Sequence, residues 1–403
     1  MTSRCVSVPP AVSDPDALAR LVGALDGAHD GVRYIGGWVR DTLLGLDPQD
    51  IDIATRLSPQ DVEQRASAAG LNTWSSASGI AHGTIGVVID GKTLEVTTLR
   101  RDLATDGRHA TVAFTEDWQE DAARRDFTIN ALSADPLTGK VHDYFGGLDD
   151  LAAGRVRFIG EPLQRIAEDH LRILRFFRFH ARFAQGAPDP ASYAACVARA
   201  RDLMALSRER IAAELIKLLA LPDPVATVQS MLDGALFDPM LPEIDDAARL
   251  AALVAAERAA GIAPDGLRRL AALLPPSPTI AEQVAARLRF SKAERRRLVL
   301  AADLDIAQPA EALAYAVGGE AAIDRLLLAD EPASARAIAG WERPPFRLSG
   351  GDLIALGLRA GPVVAATLRA VEQRWVDAGF PDDATLHAFA REAVQDALGT
   401  RPS

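Results

Sequence analysis

Two patterns of hydrophobic and polar positions divide the chain. Between residues 32 and 145, short runs of β-branched residues alternate with turn residues, which is typical of strands. Residues 85–99 predict a β-hairpin, because two such runs flank Asp90 and Gly91, a pair that favours a type I′ turn. We therefore expect a β-sheet in the first third of the chain.

The rest of the chain is predicted to be helical. Ser58-Pro59 and Gly70 already mark the start and end of one helix in the first third. From about Leu163 onward, alanine, leucine and arginine dominate, and proline-rich breaks recur at 221–224, 273–278 and 342–346. We predict an α+β fold: an N-terminal head with a small mixed β-sheet, then an all-α elongated neck, body and tail. The predicted domains are a head (1–145), a neck (146–220), a body (221–330) and a tail (331–403).

Composition narrows the class of protein. Hydrophobic residues make up 48% of the 403 positions, enough for a sizeable core. With only two cysteines, we expect no disulfide framework, no zinc cluster and a cytoplasmic location. The N-terminus lacks the layout of a signal peptide, and no long apolar run predicts a membrane span. The net charge of −11, taken alone, mildly disfavours a polyanionic partner, although the distribution of charge matters more than its sum.

A glycine turn stands out in the segment YIGGWVR, residues 34–40. Gly36 and Gly37 precede a short helix that is predicted to begin near Trp38. Exposed N–H groups at such a helix start attract phosphate. Arg40, in the first turn, can add charge-assisted hydrogen bonds to the same phosphate.

Two carboxylates follow this turn. Asp50 and Asp52 are two positions apart on a predicted strand, so both side chains project from one face. Neighbouring carboxylates repel unless a cation joins them, and Mg²⁺ prefers carboxylate oxygens together with substrate phosphates. An isolated pair of this kind would be a solvated strand edge, but the adjacent turn favours a site for a magnesium-bound triphosphate.

The segment GGWVRDTLLG followed by DPQDIDIAT resembles the signature of the polymerase-β-like nucleotidyltransferases. In particular it is similar to class II, which contains bacterial tRNA CCA-adding enzymes and bacterial poly(A) polymerases. The resemblance implies a catalytic head with two Mg²⁺ ions at Asp50 and Asp52. It also implies a third carboxylate on a neighbouring strand, a position that Glu95 matches. Glu95 would complete the metal site or accept a proton from the attacking hydroxyl; a solvent-facing strand residue is the alternative.

A second family motif matches ARRDFTINALSAD, residues 123–135. Asp126 and Asn130 are four apart and would share a face on a helix, where they suit the two hydroxyls of a ribose. The resemblance implies that this pair distinguishes ribonucleotides from deoxyribonucleotides and that Arg125 lies near the phosphates. Helix capping by Asp126, with Asn130 as a turn residue, is the alternative.

The segment RIAEDHLRILRFFRFHARF, residues 165–183, predicts one helix with a charged face and an apolar face. A solvated face with i,i+4 ion pairs is one interpretation. Its EDHLR segment also resembles the family's EDxxR motif, although His170 stands where proline is usual. The nucleotide-binding residues implied here are Glu168, Asp169, Arg172, Arg175 and Arg178.

Hydrogen-bond chemistry explains how such a motif would select a base. Asp169 accepts, which suits the amino groups of cytosine and adenine, and Arg172 donates to their ring acceptors. Uracil and guanine would turn a carbonyl toward Asp169, at a cost of about 1–3 kcal/mol for each mispaired buried group. Arg210 and Glu214, in a later motif, are interpreted as structural support for this helix. A basic cluster at residues 287–297 is either an RNA contact or an ordinary solvated helix face.

The leading hypothesis is a template-independent CCA-adding tRNA nucleotidyltransferase that uses CTP, ATP and Mg²⁺ and binds tRNA through its helical tail. A poly(A) polymerase of the same family is the nearest alternative. A catalytically silent RNA-binding protein is less favoured, because the acidic and EDxxR residues are present. The polar segment at 100–124 predicts a partly mobile loop. Its place resembles the flexible loop of family members that add the terminal A, and the resemblance disfavours an enzyme that adds only the two Cs, because such enzymes typically lack this loop. The sequence leaves the oligomeric state open.

Overall fold

The computed structural model describes residues 14–48, 51–105 and 110–399. The chain forms two compact units. The first runs to Leu218 and includes Ala226–Met240, and the second consists of Leu219–Val225 and the chain from Leu241. The division into four domains stays a prediction.

The first unit contains a seven-stranded mixed sheet with the strand order β3-β4-β5-β2-β1-β8-β9. Strands β2 and β5 are parallel, and the other neighbours are antiparallel. Strands β6 and β7 form a separate two-stranded sheet. The strands are β1 (Val32–Ile35), β2 (Asp52–Thr55), β3 (Asn72–Trp74), β4 (Thr84–Ile89), β5 (Lys92–Thr98), β6 (Arg100–Thr105), β7 (Ala110–Phe114), β8 (Ser133–Ala134) and β9 (Val141–His142).

Within the described residues, eleven helices accompany or follow this sheet as far as Asp233. They are α1 (Pro15–Ala24), α2 (Gly37–Leu43), α3 (Pro59–Ala68), α4 (Ala77–Ala81), α5 (Trp118–Ala123), α6 (Gly147–Ala152), α7 (Pro162–Glu168), α8 (Arg172–Phe183), α9 (Pro190–Ala198), α10 (Arg208–Leu219) and α11 (Val225–Asp233). In the part of the chain that the structure describes, short 3₁₀ helices lie at Gly27–His29, Thr128–Asn130 and Ala200–Ala205.

In the second unit, every regular element from residue 241 to residue 399 is a helix. These helices are α12 (Ala248–Ala260), α13 (Gly266–Leu273), α14 (Pro278–Arg287), α15 (Lys292–Ala301), α16 (Ala310–Val317), α17 (Gly319–Leu328), α18 (Pro332–Ala337), α19 (Gly350–Ala355), α20 (Pro362–Asp377) and α21 (Asp383–Leu398). The predicted combination of a mixed sheet and a largely helical remainder is confirmed. Across the described ranges, no helix has both the length and the apolar character of a membrane-spanning segment.

Local signals account for several of these elements. The hydroxyl of Ser58 accepts a hydrogen bond from the Asp61 N–H at the start of α3, and Gly70 follows its end with φ +76°. Between β4 and β5, Asp90 and Gly91 have φ values of 52° and 73°, as a type I′ turn requires. Both predictions are confirmed.

The prediction of one unbroken helix over residues 165–183 is wrong. Helix α7 ends at Glu168, Asp169 is extended with φ −152°, and α8 begins at Arg172. The carboxylate of Asp169 accepts from the Leu171 N–H at 3.0 Å and from Arg210 at 2.9 Å. These bonds replace the helical hydrogen bonds that the local sequence would otherwise favour.

The segment predicted as a partly mobile loop is largely regular. Arg100–Thr105 and Ala110–Phe114 form an antiparallel pair with a register shift between Asp102 and Ala104. These strands form a sheet of two strands apart from the seven-stranded sheet, so no large sheet with one buried face imposes a regular alternation of apolar and polar residues on them. Residues 106–109, the DGRH segment, lie outside the described residues.

An aromatic cluster packs α8 against the head. Phe127 lies 5.1 Å from Phe158, 6.3 Å from Phe176 and 5.1 Å from Phe179 between ring centroids. Phe127 and Phe176 are fully buried. The cluster therefore fixes α8 next to the segment that carries Asp126 and Asn130.

Candidate active site

A cleft of about 850 Å³ in the first unit gathers most of the predicted site residues. Those that line it are Gly36, Gly37, Arg40, Asp52, Arg125, Asp126, Asn130, Asp169, Arg172, Arg175 and Arg178. Arg100, Arg124 and Phe179, which were not predicted, line it as well. Glu95 and Glu168 are described but do not line it, and Asp50 lies outside the described residues.

The carboxylates of Asp52 and Glu95 lie on adjacent strands. Asp52 begins β2, and its register partner on the parallel strand β5 is Glu95. Partners in register project from the same face of a sheet. Asp52 is half-buried and Glu95 is exposed, so a site between them is open to substrate.

The donor set fits a hard cation, since it consists of carboxylate oxygens beside a cleft rich in arginine. Within the described ranges, no group of three or more acidic, histidine or cysteine side chains is placed to hold a metal ion. Asp50, predicted to bind the metal together with Asp52, is outside those ranges, so the described carboxylates of Asp52 and Glu95 provide part of the predicted set.

Gly36 permits a close approach of Arg125. It has φ +63°, and a Cβ at this position would lie 2.8 Å from Nη1 of Arg125. Burial lowers the pKa of Arg125, while the nearby carboxylates of Asp121 and Asp52 act in the opposite direction. The charged guanidinium therefore lies between the glycine turn and the acidic strand, where a triphosphate would need it.

Asp121 on α5 organises the arginines at this end of the cleft. Its carboxylate accepts from Nε of Arg124 at 2.9 Å, from Nη2 of Arg125 at 3.4 Å and from the backbone N–H of Arg100 at 3.2 Å. Burial opposes ionisation, but the arginines hold the pKa of Asp121 below its ordinary value. The sequence analysis missed this residue, although its i,i+3 and i,i+4 spacing to the two arginines was a usable signal.

Asp126 and Asn130 are in contact, but not as neighbours on one helix as predicted. Asp126 follows α5, and Asn130 ends the 3₁₀ helix. The Asn130 amide donates to Asp126 at 2.9 Å, and Arg175 donates to the same carboxylate through Nε at 2.8 Å and Nη2 at 2.6 Å. Burial opposes ionisation of Asp126, yet Arg175 and the amide hold its pKa below the ordinary value.

Arg40 is buried and bonded within the protein. Its Nε donates to Asp41 at 2.7 Å and its Nη1 to the Asn130 side-chain oxygen at 2.5 Å. The guanidinium lies 4.1 Å from the ring centroid of Phe183. Its predicted contact with phosphate stays a prediction. These bonds show in addition that Arg40 binds the side-chain amide of Asn130.

The predicted nucleotide-binding residues of the EDHLR segment and of α8 form ion pairs within the protein, and all of them except Glu168 also line the cleft. Glu168 accepts from Arg165 and Arg172, both at 2.5 Å, so its carboxylate is engaged inside the protein. Asp169 is bonded by Arg210 on α10, and Arg178 donates to Glu214 at 2.6 Å. Arg210 and Glu214 thus contact the segment that they were predicted to support.

Arg165 is a further residue that sequence analysis did not single out. Its Nη2 donates to the carbonyl oxygens of Arg124 at 2.7 Å and Arg125 at 2.5 Å. It therefore connects α7 to the backbone that carries the cleft arginines. The helical pattern of residues 165–183 did not reveal this role, because the two carbonyl partners are 41 and 40 residues away along the chain.

The basic cluster in the second unit is not one continuous surface. Arg297 is bonded to Asp324 and Asp265, and Arg287 to Glu243. Arg289, Lys292 and Arg296 are exposed. Only part of the cluster can face an RNA backbone.

Two family models match the chain. Residues 32–157 match "Poly A polymerase head domain", and residues 187–248 match "Probable RNA and SrmB- binding site of polymerase A". The first match covers the sheet, the glycine turn and the Asp126 segment.

Relatives match over most of their length. The chain is 34% identical over 373 residues to the human protein "CCA tRNA nucleotidyltransferase 1, mitochondrial". The matched region covers 87% of this chain and 83% of the human protein. The chain is 31% identical over 409 residues to the CCA-adding enzyme of Lacticaseibacillus paracasei, covering 96% and 99%. The crystal structure of the Bacillus stearothermophilus CCA-adding enzyme in complex with CTP has a TM-score of 0.72 and 25% identity, and covers 96% of this chain and 100% of that chain. The chain is a nucleotidyltransferase and belongs to the family of the CCA-adding tRNA nucleotidyltransferases.

Proposed function

We propose that the protein adds C, C and A in turn to the 3′ end of tRNA, from CTP and ATP and without a template. One observation carries the proposal: Asp169 and Arg172 line the same cleft as Asp52 and Arg125. A residue pair that accepts cytosine and adenine thus shares one space with groups suited to a triphosphate. The related Bacillus stearothermophilus enzyme was solved with CTP, which fits this assignment.

The reaction is a displacement at phosphorus. The 3′-hydroxyl oxygen of the tRNA forms a bond to the α-phosphorus, the bond to the β-phosphate oxygen breaks, and pyrophosphate leaves. Arg125 and Arg124 bind the triphosphate, and Glu95 accepts the proton of the attacking hydroxyl. Asp126 and Asn130 bind the ribose.

Members of this family generally use a divalent cation. We propose that Asp50 and Asp52 hold two Mg²⁺ ions, with Glu95 beside them. Bound Mg²⁺ lowers the pKa of the attacking hydroxyl and stabilises negative charge on the phosphate oxygens. EDTA is expected to stop nucleotide addition, and added Mg²⁺ to restore it.

Base choice rests on Asp169 and Arg172. Asp169 is held by Arg210, and Arg172 by Glu168 and by the Arg165 carbonyl at 2.8 Å. Because both side chains are fixed before substrate binds, a base with the wrong donor pattern leaves a buried group unpaired. We propose a cytoplasmic location, where precursor tRNA and both nucleotides are available, and tRNA binding by the second unit.

Three tRNA transcripts test the proposal: one ending before CCA, one after the first C and one after both Cs. Each is incubated with CTP, ATP, UTP or GTP singly, then with CTP and ATP together, and products are sized on a sequencing gel. Addition that stops at CCA is expected. Asp52→Ala should reduce it by more than about 100-fold, whereas Asp149→Ala, an exposed aspartate on α6, should not.

Other products would contradict the proposal in distinct ways. Long A tails on any RNA would identify a poly(A) polymerase. Retained tRNA binding without incorporation would identify a silent RNA-binding protein.

A further inference from the structure

A chain of charged and polar groups crosses the floor of the cleft. Arg40 donates to the Asn130 oxygen at 2.5 Å, and the Asn130 nitrogen donates to Asp126 at 2.9 Å. Arg175 closes the chain from α8 through two bonds to Asp126. This chain of hydrogen bonds joins α2, which follows the glycine turn, to α8, which begins with the base-selecting Arg172.

The two charged neighbours determine how the Asn130 amide is oriented. An arginine only donates, so the amide oxygen must face Arg40. An ionised aspartate only accepts, so the amide nitrogen must face Asp126. Arg40 is itself held by Asp41 at 2.7 Å and lies on Phe183, which leaves the amide little freedom to turn over.

The acceptor positions of Asp126 are filled. One oxygen accepts from the Phe127 N–H at 2.9 Å and from Asn130, and the other accepts twice from Arg175. A carboxylate offers about four acceptor positions. A sugar hydroxyl that donated to Asp126 would therefore have to displace one of these bonds.

The Asn130 amide has two N–H groups, and only one of them donates to Asp126. Among the residues that the structure describes, the other N–H has no hydrogen-bond partner, and Asn130 lines the cleft. The Asn130 amide can therefore offer a donor to a nucleotide in the cleft, whereas the acceptor positions of the Asp126 carboxylate are filled.

We infer that Asn130, oriented by Arg40, donates to the 2′ oxygen of the incoming nucleotide, so that the cleft recognises this oxygen as a hydrogen-bond acceptor. The inference rests on the proposed function, in which the pair of Asp126 and Asn130 binds the ribose, and it assigns the direct contact to Asn130 while Asp126 holds the amide in place. Arg40 is a positioning residue for sugar selection, because it acts through Asn130.

A 2′-fluoro nucleotide tests the direction of the hydrogen bond. Fluorine can accept but has no hydrogen to donate. We compare kcat/KM for CTP, 2′-deoxy-2′-fluoro-CTP and 2′-deoxy-CTP on a transcript that ends before CCA. The fluoro nucleotide is expected to be used about 3–10-fold better than the deoxy nucleotide, and CTP better than either.

Fluorine also favours a ribose-like sugar pucker, so a variant must separate this effect from the hydrogen bond. Arg40→Met removes the donor that orients the amide. It should abolish the preference for fluoro over deoxy and lower the CTP preference over 2′-deoxy-CTP about tenfold. A preference caused by pucker alone belongs to the nucleotide and would persist in this variant.

Arg33→Met is the matched control. Arg33 is equally buried in the same unit, is paired with Asp30 at 2.8 Å and lies 4.3 Å from the Trp118 ring centroid, but does not line the cleft. It should lose stability without changing either ratio. If Arg40→Met does not fold, Asp41→Asn removes the negative charge that holds Arg40 and should shift both ratios in the same direction.

The outcomes separate this inference from the proposed function. If the wild-type protein adds CMP but uses the fluoro nucleotide no better than the deoxy nucleotide, the inference is overturned and the function stands. Unchanged ratios in a folded Arg40→Met variant overturn it as well. If the wild-type protein adds no CMP, the proposed function fails, and the inference with it.

Discussion

Each arginine that lines the base and ribose side of the cleft has a carboxylate partner within the protein. Arginine keeps several N–H groups after one ion pair forms, so a paired side chain is oriented and can still bind an anion. Pairing also reduces the repulsion among cations that are crowded together before substrate arrives. The pairs are Arg172 with Glu168, Arg175 with Asp126 and Arg178 with Glu214.

At the phosphate end of the cleft, Asp121→Asn should weaken nucleotide binding. The change removes the charge that orients Arg124 and Arg125 but keeps an acceptor for the Arg100 N–H. We expect KM for CTP to rise about tenfold with a smaller change in kcat, since a charge-assisted hydrogen bond contributes roughly 1.5–3 kcal/mol. Steady-state kinetics at saturating tRNA measures both constants.

Asp324→Asn is the control for this variant. Asp324 is a fully buried carboxylate in the second unit and is also bonded to two arginines, Arg268 and Arg297. It should lower the melting temperature and leave KM for CTP unchanged. An equal rise of KM in both variants would mean that Asp121 acts only through stability.

At the scale of elements, the break between α7 and α8 gives the base-selecting residues their positions. Asp169 lies in the break and Arg172 begins α8. In an unbroken helix the backbone of Asp169 would be helical, and its carboxylate could not make the same bond to α10. The interruption thus places Asp169, the predicted hydrogen-bond acceptor for the base, outside the helices, while Arg172, the predicted donor, begins α8.

Arg210→Ala should reduce base selection. Arg210 holds Asp169 through bonds of 3.1 Å and 2.9 Å. Without it, Asp169 can turn, and we expect misincorporation of UMP to rise about tenfold relative to CMP. Arg208→Ala, on the same helix and in contact with Met204, should not change this ratio. Competition between CTP and UTP on one transcript measures it, and a uniform loss with both nucleotides would contradict the prediction.

The contact between α8 and α11 should make stability depend on pH. Burial lowers the pKa of His180 below its ordinary value of 6.5, and its Nδ1 lies 2.9 Å from Thr227 Oγ1. The unfolded chain therefore binds a proton more readily than the folded one. This contribution to stability is complete above about pH 6.5 and falls as the pH drops below that value.

Thermal melts between pH 5 and pH 8 measure this effect. The melting temperature should fall toward acid, and His180→Gln, which can keep the bond to Thr227, should show a weaker dependence below pH 6.5. Identical slopes for both proteins would remove His180 as the cause.

At the scale of the whole molecule, each unit has its own ionic organisation. In the second unit, Asp324 and Glu257 bind three buried or largely buried arginines from α13 and α15. Four helices are thereby joined by one network. Such a network stabilises only while every charge has its partner.

Asp324→Ala should therefore destabilise the second unit by about 3–5 kcal/mol, because it leaves Arg268 and Arg297 without a buried partner. Asp303→Ala, which removes a more exposed partner of Arg325, should cost less than about 1 kcal/mol. Denaturant unfolding measures both values, and equal effects would contradict the assigned importance of burial.

Much of the fold follows from local rules that act within a few residues. Asp90-Gly91 forms its turn because both residue types tolerate the positive φ that the turn requires. Ser58 begins α3 because its hydroxyl caps the helix. The motifs that indicate the family are also local, since each places its chemistry within about ten positions. These features need no partner from elsewhere in the chain.

The remaining features depend on partners that are distant in sequence. Asp169 lies outside the helix, where its carboxylate binds Arg210, a residue 41 positions later in the chain. Asn130 is oriented by Arg40, which is 90 positions earlier. Helical periodicity cannot report such pairs, because it describes only neighbours three or four positions apart. The residue types, the turns and the family could be read from the chain alone. The break in the selection helix, the engagement of Arg40 and the direction of the hydrogen bonds around the ribose pair arise only when folding brings these charges together in a buried space, where an unpaired group is costly.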